Sequence, residues 1–520
     1  MDPKTSNFVD QPLSDIAQGP SRGTIEYKQY INPALPQSRL HDGDTDTVSR
    51  RAKDDGKFFI HISDTHHDPF FDPEATMGAA ICHSCLFSEE VFGSEAYCPR
   101  TLPTNEASIE IGQYPFGRYG CNPPRRLVDS LYHAMKGIDA HPRFVVMTGD
   151  LAPHGYPGDK ATLTNTTTFE DLCPTKLLIM KRQAAFWKQH FPHTKLVFTL
   201  GNNDHFPKDK YWQPFITALG DVFHEEGLFT KKEHEMFTRY GSVYYDIDNL
   251  RFIALDFTLF TPGGEVTFVD PASLSGLSEE ETACELFPVR HRTIQWFERT
   301  LKEAREQKKA VYIVGHQPLT TKRGKDELNV YGVHYGKLKF LLDRYQDIIK
   351  VGLFGHRNLA AIQPIASALG RPIIPSITVP GVSPRGKNHP AFHVVFYEAD
   401  GTVHDFEQWV FALGNENAKA SKEGKGYKGE WKMHHRELYS WKAFSKGEKF
   451  TVAGLMHTLH SILTDERVFF DIELWKRGGY VGDETPENYK CKAKYDTANA
   501  MMQCLFPKQD PRCWDQKWLA

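Results

Sequence analysis

Five short polar stretches each follow an apolar run that reads as a strand. They are Asp64-Thr65-His66, Gly149-Asp150, Gly201-Asn202-Asn203-Asp204, Gly315-His316 and Gly355-His356-Arg357-Asn358. Side chains at i and i+2 of an extended segment point the same way, so Asp64 and His66 can converge on one point. Gly at the head of the other four lets the backbone turn where a Cβ would clash. A set of Asp, His and Asn without cysteine suits borderline divalent metals held by nitrogen and oxygen, such as zinc, manganese, iron or cobalt. A carboxylate can bridge two such ions. Two ions about 3.5–4 Å apart can hold a hydroxide nucleophile and clamp both sides of an in-line phosphoryl displacement. Asp150, directly after a buried strand, is the bridging candidate. Singly, each stretch has a bland reading: Gly-Asp after a strand is usually a turn, and a buried His is usually a satisfied core residue. The metal reading rests on five such stretches in one chain.

The elements that must position these residues follow from periodicity. Apolar runs at 58–62, 144–147, 195–200, 310–314 and 351–354 read as strands, with helical spacing over 125–140, 176–190, 289–308 and 334–346. Residues 243–256 read as a hairpin turning at Asp248-Asn249, and 391–398 with 402–410 as another turning at Asp400-Gly401. A further strand falls near 373–378. Strands alternating with helices predict an α/β fold with helices on both faces of a sheet, and the hairpins predict some antiparallel pairing. Ligands of such sheets gather at the carboxyl ends of strands, where all five stretches lie. Residues 1–55 read as a disordered tail, 56–411 as the catalytic domain, and 412–520 as a linker-like run followed by helical segments near 455–463 and 484–505.

The chain has 520 residues with 62 Lys and Arg against 66 Asp and Glu, a net charge of −4. That balance excludes an overall basic binder of nucleic-acid duplexes. No stretch approaches 18 apolar residues, so no transmembrane helix is expected, and the first residues lack the apolar core of a signal peptide. The nine cysteines point the other way. Cys82, Cys85, Cys98 and Cys121 form one group, and Cys491, Cys504 and Cys513 another; both resemble disulfide staples of an oxidising compartment. The expectation is at least one disulfide among Cys82, Cys98 and Cys121, pinning the long loop 64–124. The sequon Asn165-Thr166-Thr167 is compatible with glycosylation.

The order D-x-H, GD, GNxD, GH, GHx[HN] resembles the calcineurin-like metallophosphoesterase superfamily. HISDTHHDPFFDP, GRYGCNPPRRLVDSL and GDLAPHG resemble its acid sphingomyelinase-like branch. GNND and GHRN, with Asn where most relatives have His, resemble the endopolyphosphatases within it. The resemblance implies a β-sandwich of mixed sheets flanked by helices, with a C-terminal helical, cysteine-bearing extension. It implies two divalent ions: Asp64 and His66 on the first, Asp150 bridging, and Asn202, His316 and His356 on the second. Asn358 stands where a His usually completes the first site, and Asn203 where many relatives place a His that contacts the phosphate. His154 becomes the expected general acid, with His205 as second choice or substrate contact. Arg357, Lys322 and Arg323, with Lys325, Arg385 and Lys387 nearby, would form a cationic rim. The implied reaction is hydrolysis of phosphoanhydride bonds in inorganic polyphosphate, in a vacuole- or lysosome-like lumen or outside the cell; the missing signal peptide keeps a cytoplasmic location open. The alternatives are a phosphodiesterase acting on lipid headgroups or nucleotides, for which Phe70, Phe71 and Phe116 could supply part of an apolar docking surface although core positions are the expectation for them, and a metal-binding pseudoenzyme. Oligomeric state is not legible.

Overall fold

In the computed structural model the apolar runs collect into two six-stranded sheets that pack face to face. Residues 57–71, 114–155, 163–165, 167, 175–261, 263–319, 332–367, 369–386, 388–433, 440–445, 447–464, 472 and 475–477 are described. In chain order the strands are β1 (Lys57–Ile62), β2 (Phe144–Met147), β3 (Lys195–Phe198), β4 (Val243–Ile247), β5 (Leu250–Leu255), β6 (Ala310–Gly315), β7 (Ile349–Phe354), β8 (Ala361–Ala366), β9 (Pro372–Thr378), β10 (Ala391–Tyr397), β11 (Val403–Phe411) and β12 (Trp431–Lys432). One sheet runs β12-β11-β10-β1-β2-β3 and the other β4-β5-β6-β7-β9-β8.

Both sheets are mixed, and the mixing places the chemistry. β1, β2 and β3 are mutually parallel, as are β5, β6, β7 and β9. Antiparallel strands flank each parallel set. All five polar stretches therefore leave the carboxyl ends of parallel strands. The two sheets meet through aromatic residues on their inner faces. Phe59 of β1 lies edge-on to Phe252 of β5 at 6.2 Å and near Tyr312 of β6 at 6.1 Å. At the site end, Thr199 donates its hydroxyl to the Leu255 carbonyl at 2.9 Å, so the two sheets are tied there as well.

The helices are α1 (Arg125–Ile138), α2 (Thr175–His190), α3 (Gln213–Glu225), α4 (Lys231–Tyr240), α5 (Glu279–Leu286), α6 (Pro288–Glu306), α7 (Gly332–Arg344), α8 (Leu413–Glu423), α9 (Trp441–Ser445) and α10 (Val452–Thr464). α4 and α5 begin in capping boxes, Thr230 with Glu233 and Ser278 with Glu281, which satisfy the first backbone N–H groups. α6 packs beside β6, and α10 lies on β8 and β9.

Two differences from the sequence reading have physical causes. β8 escaped because Pro364 interrupts it; as the edge strand of its sheet it needs no donor on its open side. The linker-like run beginning at 412 contains a helix, α8. Its buried face is Leu413, Glu416, Asn417 and Ala420, so much of the docking is polar. Asn417 accepts from the Phe116 N–H at 2.9 Å and donates to the Gly117 carbonyl at 2.8 Å. Phe70, Phe71 and Phe116 are buried, the core positions expected of them, and offer no docking surface. The helix expected over 484–505 lies outside the described residues. Cys121 is buried and disulfide-bonded, and among the described residues Cys284 is a free thiol. No helix among the described residues is long and apolar enough to cross a membrane.

Candidate metal centre

Among the described residues, five of the eight non-glycine residues with left-handed backbone are candidate ligands: Asp64 (φ 52°), His66 (38°), Asp150 (58°), His356 (72°) and Asn358 (55°). Such conformations cost of order 1–3 kcal/mol each and persist where the surroundings over-determine them, most often at functional sites. Neighbouring glycines allow the crowding. A Cβ on Gly201 would sit 2.2 Å from Asp150 Oδ1, and one on Gly355 1.9 Å from Ser63 Oγ. Asp204, fully buried, draws two of these loops together. It accepts the backbone N–H groups of Asp150 and Gly201 at 2.8 Å each and of Ala152 at 2.9 Å.

The side chains form two groups that share one carboxylate. His66, Asp150 and His154 make the first; Asp150, His316 and His356 make the second, the ligand-type atoms of each lying within 4.8 Å of one another. Asp150 Oδ2 lies 3.3 Å from His66 Nε2 and 3.1 Å from His316 Nε2, so one oxygen faces both groups. Asp64 Oδ2 accepts the His356 N–H at 2.9 Å, while Oδ1, buried, has no hydrogen-bond partner. Asn202 donates its amide to Asp209 at 2.6 Å, which turns its Oδ1 inward, 3.1 Å from both His316 Nε2 and His356 Nδ1.

The imidazoles are oriented from behind. His66 Nδ1 lies 2.8 Å from the Ala152 carbonyl and His316 Nδ1 2.6 Å from the Thr148 carbonyl. A carbonyl only accepts, so each Nδ1 donates to it and each Nε2 faces inward, where its lone pair is available to a cation once the ring is neutral, the usual support of metal-bound histidines. Converging lone pairs with no proton between them are unstable unless a cation joins them. Buried Asp64 Oδ1, His66 Nε2, Asn203 Oδ1 and Asn358 Oδ1 all lack hydrogen-bond partners, and an oxygen-and-nitrogen donor set of this kind fits divalent zinc, manganese, iron or cobalt.

The electrostatics record the same demand. Burial pushes the Asp150 carboxyl up, but His316 and His66 outweigh it and hold it well below the carboxylate range. Burial lowers His316, yet Asp150 lifts it to about 9, a proton answering the same need as a cation. Burial, then His316, lowers His356 to about 4. Burial, then His66 and Arg385, hold His154 well below the usual imidazole value.

Asp64, His66, Asp150, Asn202, His316 and His356 thus come together at one end of the sandwich. His154, the expected acid, stacks on His66 with ring centroids 3.9 Å apart. Asn203 turns its amide to Asp150 Oδ2 at 2.8 Å, and its backbone N–H to Oδ1 at 2.8 Å. His205 is fully buried and pairs with Asp256 at 3.1 Å, a partner outside both groups. Arg357 is half-buried next to His356. Arg385, also half-buried, is close enough to Asp150 and His154 to influence both. Lys322, Arg323, Lys325 and Lys387 lie outside the described residues. Asn122, Asp204 and Asp209 escaped the sequence reading as working residues. Asp204 was signalled by its place in GNND; Asn122 and Asp209 act through neighbours that only the fold supplies.

Comparison with known proteins agrees with this geometry. Residues 59–357 match the family model described as calcineurin-like phosphoesterase. A cyclic GMP-AMP phosphodiesterase of Bos taurus is 25% identical over 410 residues, 72% of this chain and 74% of that protein. Acid sphingomyelinase-like phosphodiesterase 3b of Homo sapiens is 25% identical over 398 residues, 70% of this chain and 73% of that protein. Sphingomyelinase phosphodiesterase D of Dictyostelium discoideum is 23% identical over 462 residues, 86% of this chain and 94% of that protein.

Proposed function

The chain belongs to the calcineurin-like phosphoesterase family, in its acid sphingomyelinase-like branch, and from that premise we propose that it hydrolyses a phosphate carrying two bridging oxygens. It is a dinuclear metallophosphoesterase; the substrate is our inference. The observation that carries the reading is Asp150 Oδ2, one oxygen within 3.3 Å of His66 and 3.1 Å of His316. Asp64, His66, Asp150 and Asn358 would hold one ion, and Asp150, Asn202, His316 and His356 the other. Two divalent ions, when bound, supply Lewis acidity at phosphoryl oxygens and acidify a water for attack. The chain's own contribution is to fix the donors by the Thr148, Ala152 and Asp209 contacts, to keep Asp150 ionised, and to set the Arg385 and Arg357 guanidiniums beside the place where phosphate oxygens would sit.

The names of the relatives favour a phosphodiester, and a nucleotide-type diester fits better than a lipid, since the phenylalanines weighed for docking are buried. A second reading, internal phosphoanhydrides of inorganic polyphosphate, is favoured by Asn203 and Asn358. With amides at those two positions, and with the Nδ1 protons of His66 and His316 spent on carbonyls, the site is poor in proton donors. A phosphate leaving group departs without protonation, whereas an alkoxide needs it. An oxidising compartment belongs to the same reading, because Cys121 is disulfide-bonded and Asn165 of the sequon is exposed. The test is a hydrolysis panel of a cyclic dinucleotide, ATP, pyrophosphate, long-chain polyphosphate and sphingomyelin with zinc, manganese, cobalt or magnesium. Turnover of the dinucleotide above all others supports the first reading; polyphosphate above all others supports the second. Hydrolysis of none, with any ion, contradicts both.

A further inference from the structure

Asn122 decides what His154 can do. Its Oδ1 lies 2.9 Å from His154 Nδ1. The orientation of the Asn122 amide is fixed independently by the backbone of the same residue. Nδ2 donates to the His154 carbonyl at 3.3 Å, and Oδ1 accepts the His154 N–H at 3.4 Å. An amide oxygen only accepts, so in the neutral ring Nδ1 carries the proton and Nε2 has a lone pair. A ring in that state gives no proton from Nε2. His66 and His316 show the same arrangement, with Nδ1–H on a carbonyl and Nε2 turned to the carboxylates. His154 also groups with His66 and Asp150, their ligand-type atoms within 4.8 Å of one another.

From this geometry we infer that His154 is a nitrogen ligand of the first ion, with Asn122 as its positioning residue, taking over the share of imidazole that Asn358 no longer provides. The inference rests on the two-ion reading above and deepens it. Asn358 Oδ1 is buried without a hydrogen-bond partner, so the first site keeps an amide oxygen there. An amide oxygen is a weaker donor than imidazole for borderline metals, and a ring from the β2 loop replaces what the β7 loop has lost.

The test reads metal directly. The full chain is stripped with chelator, reloaded with zinc or cobalt, and analysed for ions per chain, for each dissociation constant and for the cobalt absorption bands. The parent should hold two ions. His154→Ala should weaken one ion at least 100-fold and leave the other unchanged, with the cobalt spectrum losing the bands of one site. Asn122→Leu should weaken the same ion about 10–100-fold, the usual effect of losing a supporting hydrogen bond, while Asn122→Asp, which keeps the acceptor, restores it. Asn358→His added to His154→Ala should bring the first ion back. His154→Ala holding two ions with parental affinity overturns the inference and leaves the two-ion reading standing. A parent chain that takes up fewer than two ions overturns both. If His154→Ala does not fold, Asn122→Leu decides alone: parental affinity and spectrum in that variant overturn the inference.

Discussion

Replacing Asp204 by Ala removes a buried acceptor on which three backbone donors depend. The N–H groups of Asp150 and Gly201 reach Oδ2 at 2.8 Å and that of Ala152 reaches Oδ1 at 2.9 Å. Hydrogen bonds to a charged group contribute about 1.5–3 kcal/mol each, so three amount to about 4.5–9 kcal/mol. Holding the charge there opposes this. Burial and the neighbouring Asp150 push the Asp204 carboxyl upward, with the backbone donors pulling it back. The net loss should therefore be about 3–5 kcal/mol, the range found when one partner of a buried charged pair is removed. At about 2 °C per kcal/mol for a domain this large, melting should fall by about 6–10 °C. The assay is thermal and guanidinium unfolding of chelator-treated protein, so that lost metal does not add to the result. Asp204→Asn, with one oxygen left to accept, should fall between Ala and the parent. Turnover at saturating metal should drop at least about 100-fold in Asp204→Ala, because the Asp150 backbone is no longer held in place. A variant within about 1 kcal/mol of the parent would refute the claim that this carboxylate ties the two loops.

Two further outcomes follow from the charges around the site. In chelator-treated protein, His316 has a folded value of about 9 against about 6.5 unfolded. Being raised on folding, its contribution to stability is complete below about pH 6.5 and is lost as pH climbs through about 9. Metal takes the deprotonated ring, so ion affinity should rise over the same window; a melting temperature flat from pH 6.5 to 9.5 without metal contradicts the pairing of His316 with Asp150. Arg385→Ala should lower kcat/KM about 10–100-fold, chiefly through KM, with both ions retained. Lost metal in that variant would reassign Arg385 to the structure of the site.

Much of this was legible because the relevant signals are local. Asp64-x-His66, Gly149-Asp150, GNND, Gly315-His316 and GHRN each sit after a short apolar run, and each run is a strand, though β3 ends at Phe198, two residues short of the expected 200, and β6 runs one residue past 314. The hairpin turn at Asp248 was equally readable, and its φ of 54° fits an Asp in that position. What stayed hidden depends on partners far away in sequence. Asn122 reaches His154 across 32 residues and Asn417 reaches Phe116 across 301, and neither contact leaves an apolar period. α8 was read as linker because Glu416 and Asn417, rather than leucines, carry part of its docking. Which role His154 takes, acid or ligand, is hidden for a related reason: it depends on Asn122 and His66, partners that sequence spacing does not place beside it.

The central claim is that one carboxylate, Asp150, lies between two ions. Crystals loaded with zinc or manganese and measured at the metal's absorption edge test it most directly. The account expects two anomalous peaks about 3.5–4 Å apart, with Asp150 Oδ2 between them, one against His66 and the other against His316 and His356. A single peak, or a second peak that Asp150 does not touch, would contradict it.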